Sequence, residues 1–438
     1  MNKKHVLYCA VIATISATSA PAMSAGFQLN SQSATGLGRA FAGDAVIADN
    51  ASVVARNPAA MALFDETSFS LGFNVIATDV NVESGTYNQA SANYIPGTPG
   101  VGPVPPTDPS VGFSSNSYDI GGTSDIGGTS VVPNLHLVVP LNDQWAWGLS
   151  AYSNFGTETQ FEDDFVASIF GGTTSVMSMN FGTMLSYRLN EKLSIGAGID
   201  VIYGMGELSR TIGAEACVLG TNCDVYQANV VDVDASGVGF GWNAGLVYEL
   251  SEHHRFGLSY RYSPTLEVDG DVKGGTTTAD SMDIPLPDMA EFSGYHRLSE
   301  LFAVHYSLQW VQWSAFDTLV IGGLEKEYQW KDAGHASVGG TNYLNDEWTL
   351  RAGYMYDVAA TDELKSISIP DSDRQWLSGG FTYHLDRQQN IDFGITYLIG
   401  QDVTFDETLH PALPAPSITD ATTRSDAILV GLQYSRTF

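Results

Sequence analysis

Fourteen short segments of this chain alternate polar and apolar residues with period two, and the connections between them alternate between tight and long. The segments centre near residues 74, 136, 152, 182, 201, 240, 262, 290, 308, 336, 353, 379, 396 and 433. Ser68-Phe69-Ser70-Leu71-Gly72-Phe73-Asn74-Val75 is representative. A period of two puts every second side chain on the same face of a strand, so each segment has one apolar and one polar face. After the N-terminus there is no run of roughly 18 apolar residues, which excludes spanning helices. Ten-residue alternating strands with Trp and Tyr near their ends instead predict a closed antiparallel β-barrel in a membrane, apolar face to lipid and polar face to the lumen.

The loop lengths sharpen this. Residues 141–144, 189–192, 249–254, 343–347 and 384–390 read as tight polar turns. Between them fall longer segments at 83–129, 211–228, 271–281, 359–373 and 403–426. Short turns on the periplasmic side and long external loops are the pattern of outer-membrane barrels, whose even strand count returns both chain ends to the periplasm. Segment 83–129 carries six prolines and a tandem Asp-Ile-Gly-Gly-Thr-Ser at 119–124 and 125–130; it reads as a flexible external loop, two copies being too few for a solenoid. The final strand, residues 427–438, sets Val430, Leu432, Tyr434 and Phe438 on one face, with Arg436 alone breaking the apolar series. Tyr434 and the terminal Phe438 form the C-terminal signature, and this strand is expected to close the barrel against the first, near residues 69–75.

Residues 1–24 read as an export signal: Lys3 and Lys4, an apolar run at 6–15, and small residues Ala22 and Ser24 before a cut ahead of Ala25. Residues 25–66 do not alternate and are rich in Ala, Gly and Ser, which suits a partly helical plug folded inside the barrel; residues 67–438 form the barrel itself. The formal charge of −30 excludes nucleic acid as a partner, since that needs a basic footprint. Cys217 and Cys223 are expected to form a disulfide in an oxidising compartment. Catalytic motifs are missing: there is no Gly-x-Ser-x-Gly, His-Glu-x-x-His or Walker loop, so no enzyme, cofactor or metal site is expected. A lumen filled by an apolar-leaning plug suits no ion-conducting pore.

Ala25-Gly26-Phe27-Gln28-Leu29-Asn30, Gly36-Leu37-Gly38-Arg39-Ala40 and Arg56-Asn57-Pro58-Ala59 resemble the plug of the FadL family of outer-membrane long-chain fatty acid transporters. Pro133-Asn134-Leu135-His136, Trp242-Asn243-Ala244-Gly245, His305-Tyr306-Ser307-Leu308 and Ser366-Ile367-Ser368-Ile369-Pro370-Asp371 continue the likeness in order to Phe438. The resemblance implies a barrel of about 14 strands with an N-terminal hatch, and passive uptake of a hydrophobic ligand that leaves sideways through a gap at a kinked third strand. It places that kink at Ser153, Asn154, Phe155 and Gly156; from the residues alone Gly156 reads as an ordinary strand glycine. It aligns Arg210 and Lys326 with positions that contact the ligand carboxylate, although Glu325 and Glu327 could pair with Lys326. It makes Asn57, Pro58 and Ala59 a hatch switch, which the residues also read as a capped helix start.

Expected partners are a long-chain fatty acid or another hydrophobic ligand, outer-membrane lipid and the barrel-assembly machinery, with the protein a monomer in the bacterial outer membrane. Uptake of aromatic hydrocarbons, or a surface adhesin or bacteriophage receptor built on the long loops, are the alternatives. The segments at 211–228 and 271–281 look shorter than the external ligand groove of the family, and the Cys217–Cys223 pair departs from its pattern.

Overall fold

The computed structural model describes residues 26–93, 112–218, 222–275, 277–409 and 416–438, without the side chains of 90–93, 112–115 and 213–228. The export signal expected at 1–24 lies outside them. Fourteen antiparallel strands form a closed wall. They are β1 (Ser68–Asn93), β2 (Gly128–Pro140), β3 in two pieces (Trp145–Tyr152 and Gly156–Gln160), β4 (Thr173–Asn190), β5 (Leu193–Val218), β6 (Asn222–Ser251) and β7 (His254–Tyr262). The second half comprises β8 (Met289–Arg297), β9 (Phe302–Val311), β10 (Ala333–Tyr343), β11 (Trp348–Asp357), β12 (Arg374–His384), β13 (Gln389–Gly400) and β14 (Ser417–Thr437). Each pairs with its neighbour in sequence, and β14 closes on β1 in a register that sets Phe69 opposite Arg436 and Val75 opposite Val430. The expected closure is therefore observed, and every segment centre read from the sequence falls in one of these strands.

The period-two pattern sorts side chains as a lipid-facing barrel requires. Along β1, Ser70 and Asn74 are buried inward while Leu71 and Phe73 are exposed outward. Phe240 is 72% exposed and Ile199 63%, values no water-soluble surface would sustain in a continuous band. At the end of β14 the Arg436 guanidinium lies 4.7 Å over the Phe438 ring, and Tyr434 donates its hydroxyl to Gln389 Oε1 at 2.8 Å.

Two expectations about the loops need correction. Segment 83–129 is not a structureless loop where it is described: β1 continues to Asn93 and pairs with a strand at Gly112–Asp119. The tandem repeat then turns back along β1, and the isoleucine of each copy, Ile120 and Ile126, is buried with Val80, Val82, Tyr87 and Phe170. Burying two isoleucines stabilises this fold-back by roughly 1.5–3 kcal/mol each. Likewise 211–218 and 222–228 continue the β5–β6 hairpin, and 271–274 and 277–281 belong to a further hairpin, Thr265–Gly274 with Thr277–Pro285, laid along the top of β6. Strand pairing satisfies these backbone groups without requiring a long apolar run, which is why alternation scoring missed them.

Residues 26–66 fill the lumen. Helix α1 (Ala34–Leu37), helix α2 (Val53–Arg56) and a 3-10 turn (Pro58–Leu63) are almost wholly buried. Contact with the wall is close enough to need glycine: a Cβ on Gly353 would collide with the Arg39 carbonyl, and one on Gly394 with the Ala34 carbonyl. Wall side chains cap the plug backbone, with Ala34 N–H donating to Gln433, Gly43 N–H to Ser307 and Asn74 to the Ser31 carbonyl. A buried ionic network completes the fit: Arg39 pairs with Asp44 and Asp49 at 2.8 Å each, and Arg351 of β11 reaches Asp49 at 3.3 Å. Gly353→Val is expected to assemble as a barrel but to push out the 36–44 segment, since overpacking costs about 1–3 kcal/mol or more. Hydrogen exchange would read this as lost protection in that segment alone; unchanged protection would show the wall and plug can separate freely.

Candidate functional site

The upper lumen is apolar. Ile202 of β5, Val233 of β6, Leu266, Val268 and Ile284 of the extra hairpin and Met289 of β8 converge on one buried cluster. At its base stands Phe27, whose ring is 4.7 Å from Trp313, 5.2 Å from Phe316, 5.7 Å from Trp330 and 5.9 Å from Phe155, mostly edge to face. That packing suits the ring quadrupole and adds about 0.5–1.5 kcal/mol per pair beyond area burial. Trp313, Phe316 and Trp330 come from the connection between β9 and β10, which folds inward. The sequence offered no periodic signal for this aromatic hub, because its members are separated by up to three hundred positions.

Above the hub lies a polar cluster. Arg210 is buried, with Nη1 donating to the Thr173 and Ser209 carbonyls at 2.7 Å and Nη2 donating to Thr174 Oγ1 at 2.6 Å. It makes no ion pair among the described residues. Lys326, on the small hairpin of Thr318–Ile321 with Leu324–Glu327, pairs with Glu407 at 3.0 Å, and not with its neighbours Glu325 and Glu327. Burial opposes the Lys326 charge, but the Glu407 carboxylate outweighs it and raises the ammonium above the usual lysine range. Glu407 and Tyr328 face both cations, so the fold does bring Arg210 and Lys326 to one cluster. Glu407 itself also accepts from Ser366 Oγ at 2.7 Å and Ile367 N–H at 3.0 Å.

Residues 366–371 then tie three parts together. Ser366 and Ile367 hold Glu407; the Ser368 carbonyl accepts from Thr159 Oγ1 of β3 at 2.6 Å; Asp371 pairs with Arg374 at 2.8 Å and accepts the Gly26 N–H at 3.2 Å. The cation cluster, the upper piece of β3 and the start of the plug are thus joined through one short segment. Glu407 and Tyr328 carried no local signature in the sequence and emerge only from this juxtaposition, whereas Asp371 lies in the 366–371 segment that carries the family likeness.

The third strand is interrupted at residues 153–155. Both pieces of β3 pair with β4, but β2 pairs only with the lower piece, ending at Leu135 opposite Ala151. The plug takes up the freed groups: Leu29 N–H donates to the Asn154 carbonyl at 2.6 Å, Gly156 N–H to the Phe27 carbonyl at 2.8 Å, and Gln28 bridges Phe155. Gly156 has no left-handed backbone, so no glycine torsion breaks the strand there. The interruption comes from residues 27–29 substituting for a ladder partner. Ser153, Asn154 and Phe155 are all buried.

Asn57, Pro58 and Ala59 lie away from the cation cluster, in the lower lumen. Asn57 Oδ1 accepts the Ala59 N–H at 3.0 Å and its Nδ2 donates to the Ala45 and Leu246 carbonyls at 2.8 and 3.1 Å. Gly245 of β6 leaves the space that the Asn57 side chain occupies. Asn57→Ala is expected to cost about 2–4 kcal/mol, from the lost cap and the two lost hydrogen bonds to the Ala45 and Leu246 carbonyls. Faster amide exchange across 58–63 in an intact barrel would show it, and wild-type exchange there would deny Asn57 its clamping role. Cys217 and Cys223 face each other in register near the tip of the β5–β6 hairpin, but their side chains lie outside the described residues.

Comparison with known proteins agrees with this architecture. Residues 14–438 match the model of the family described as "Outer membrane protein transport protein (OMPP1/FadL/TodX)". A long-chain fatty acid transport protein of Escherichia coli O6:H1 is 34% identical, over 91% of this chain and 92% of the relative. Among solved structures, a Pseudomonas aeruginosa FadL homologue superposes with a TM-score of 0.78 at 21% identity, covering 94% of this chain and 100% of that one. The Pseudomonas putida toluene transporter TodX does so at 0.62 and 19%, covering 95% and 100%.

Proposed function

Because the chain belongs to the FadL family of outer-membrane transport proteins, we propose that it carries long-chain fatty acids passively across the outer membrane. Transport of hydrophobic compounds across that membrane is the activity of the family as a whole. The observation that carries the finer reading is Arg210: a buried guanidinium without an ion pair among the described residues, at the head of an apolar chamber. A carboxylate entering low dielectric needs such a partner, whereas a neutral hydrocarbon does not. In this reading the alkyl chain lies against the aromatic hub and the carboxylate meets Arg210, with Lys326 exchanging Glu407 for the ligand. Phe27 stands between the chamber and the interruption in β3. Movement of residues 26–29, coupled to the cation cluster through Asp371 and Glu407, would open a path sideways through the wall. Labelled oleate bound by the purified protein, and lost in the Arg210→Gln variant, tests the carboxylate site directly.

The second reading is uptake of neutral hydrocarbons. Its support is the aromatic hub itself, together with a fold shared with a protein named as a toluene transporter. Binding of toluene with an affinity equal to that of oleate, unaffected by Arg210→Gln, would favour it.

A further inference from the structure

Below the aromatic hub the lumen turns polar. A cavity of about 20 Å³ lies between plug and wall, lined by Arg56, Asn154, Arg261, Met289, Glu291 and Gln309 among others. Space of that size admits a water or one small polar group. Asn154 belongs to the interruption in β3, so the cavity abuts the back of the break. Gln28, which covers the break from inside, donates to Gln309 Oε1 at 2.6 Å and so closes the cavity on the hub side.

The donors here are not fully used. Arg56 Nη2 donates to Asn30 Oδ1 at 3.0 Å, but Asp44 and Glu291 each stand 3.6 Å from the guanidinium, beyond hydrogen-bond distance. Arg56 Nε, on a side chain 7% exposed, has no hydrogen bond, and Nδ2 of Asn154, a residue only 3% exposed, has no well-aligned acceptor, with the Tyr152 hydroxyl beside it. Arg261 is by contrast engaged, with Asp200 at 2.5 Å and the Ala55 carbonyl at 2.7 Å. Each buried donor without an acceptor costs about 1–3 kcal/mol, so the arrangement favours any acceptor that can reach both. A carboxylate has two oxygens and can accept from a guanidinium edge and an amide together.

We infer that this cavity is a second carboxylate-binding position, which receives the ligand head group after it leaves Arg210 and before it passes the break. The inference rests on the fatty acid reading above. A carboxylate crossing the buried lumen between Arg210 and the membrane would otherwise travel without a charged partner, at a cost of several kcal/mol. Arg56 and Asn154 supply donors on that path, while Asp44 and Glu291 keep the guanidinium neutralised between passages. The site acts on the acid and not on a neutral ligand of the same length, so it makes the exit selective for the head group.

Two variants test this. Asn154→Leu removes the Nδ2 donor, together with the Oδ1 that accepts from Gln32 Nε2 at 3.2 Å, and leaves every ion pair in place. Arg56→Gln combined with Glu291→Gln removes the cation together with a carboxylate facing it. Barrel assembly is checked by heat-modifiable mobility, and uptake of labelled oleate by intact cells is compared with that of oleyl alcohol. Oleate uptake is expected to fall about tenfold, the factor that corresponds to 1.4 kcal/mol, with alcohol uptake and equilibrium oleate binding unchanged. Equal loss of acid and alcohol would assign these residues to general packing of the gate and overturn the proposal, as would unchanged uptake of both by assembled Asn154→Leu. A wild-type protein that carries the alcohol but not the acid would overturn the fatty acid reading itself, and this site with it.

Discussion

Arg210→Gln should weaken oleate binding by about 10- to 100-fold while leaving the barrel intact, because hydrogen bonds to a charged group contribute roughly 1.5–3 kcal/mol. Adding Lys326→Gln should deepen the loss, and uptake should follow affinity. The two cations are not equivalent. Lys326 already has Glu407 at 3.0 Å, so a ligand must compete with that carboxylate, and Lys326→Gln leaves Glu407 with its bonds from Ser366 and Ile367. Arg210 hydrogen-bonds only carbonyls and a hydroxyl, and Glu407 faces it without forming an ion pair. The single Arg210 change should therefore exceed the single Lys326 change. Arg210→Lys should recover part of the binding, since charge returns but the two-pronged geometry does not. The measurement is equilibrium binding of oleate set beside a neutral ligand of equal length. Equal losses for both would mean that Arg210 merely shapes the chamber, and no loss in the double variant would remove the carboxylate site altogether.

The sequence made the wall readable because a barrel strand repeats its rule at every second residue. Ser70, Leu71, Phe73 and Asn74 sort to opposite faces by alternation alone, and closure of the last strand on the first near residues 69–75 was legible too, though its register, Phe69 opposite Arg436, was not. What alternation could not supply was the fate of the long connections. Ile120 and Ile126 look like isolated apolar residues in a Gly-rich loop, yet each finds a buried place beside β1 that only tertiary packing creates.

The candidate site divides in the same way. Arg210 and Lys326 were picked out by the family likeness, which aligns them with positions that contact the ligand carboxylate. Glu407 and Tyr328 were invisible, being ordinary residues whose importance comes from facing both cations. The interruption of β3 at 153–155 could not be traced to Gly156, which reads as an ordinary strand glycine. Its cause is in the plug, some 125 residues earlier, where residues 27–29 provide the hydrogen bonds that β2 does not.

That last point leads to the prediction with the largest expected effect. Gln28 and Phe155 face each other as a non-hydrogen-bonded antiparallel pair, since the bonds run from Leu29 to Asn154 and from Gly156 to Phe27. Such pairs hold their Cα atoms about 4.5 Å apart, inside the range a disulfide spans without backbone movement. Gln28→Cys with Phe155→Cys should therefore form a bond that staples the plug across the break. If ligand leaves through that break, the oxidised variant should still bind oleate in the upper chamber yet lose uptake to the background, a drop of about 100-fold or more. That drop corresponds to a gate whose opening now requires breaking a covalent bond, where it once required breaking only non-covalent contacts, among them two backbone hydrogen bonds worth about 1–3 kcal/mol net. Reduction should restore uptake in the same preparation, which separates the staple from any effect of losing the Phe155 ring. The wild-type protein treated with the same reductant controls for the expected Cys217–Cys223 pair. Uptake that persists with the staple closed would mean that the ligand passes the wall or the plug elsewhere, and that the interruption in β3 serves only to seat residues 27–29.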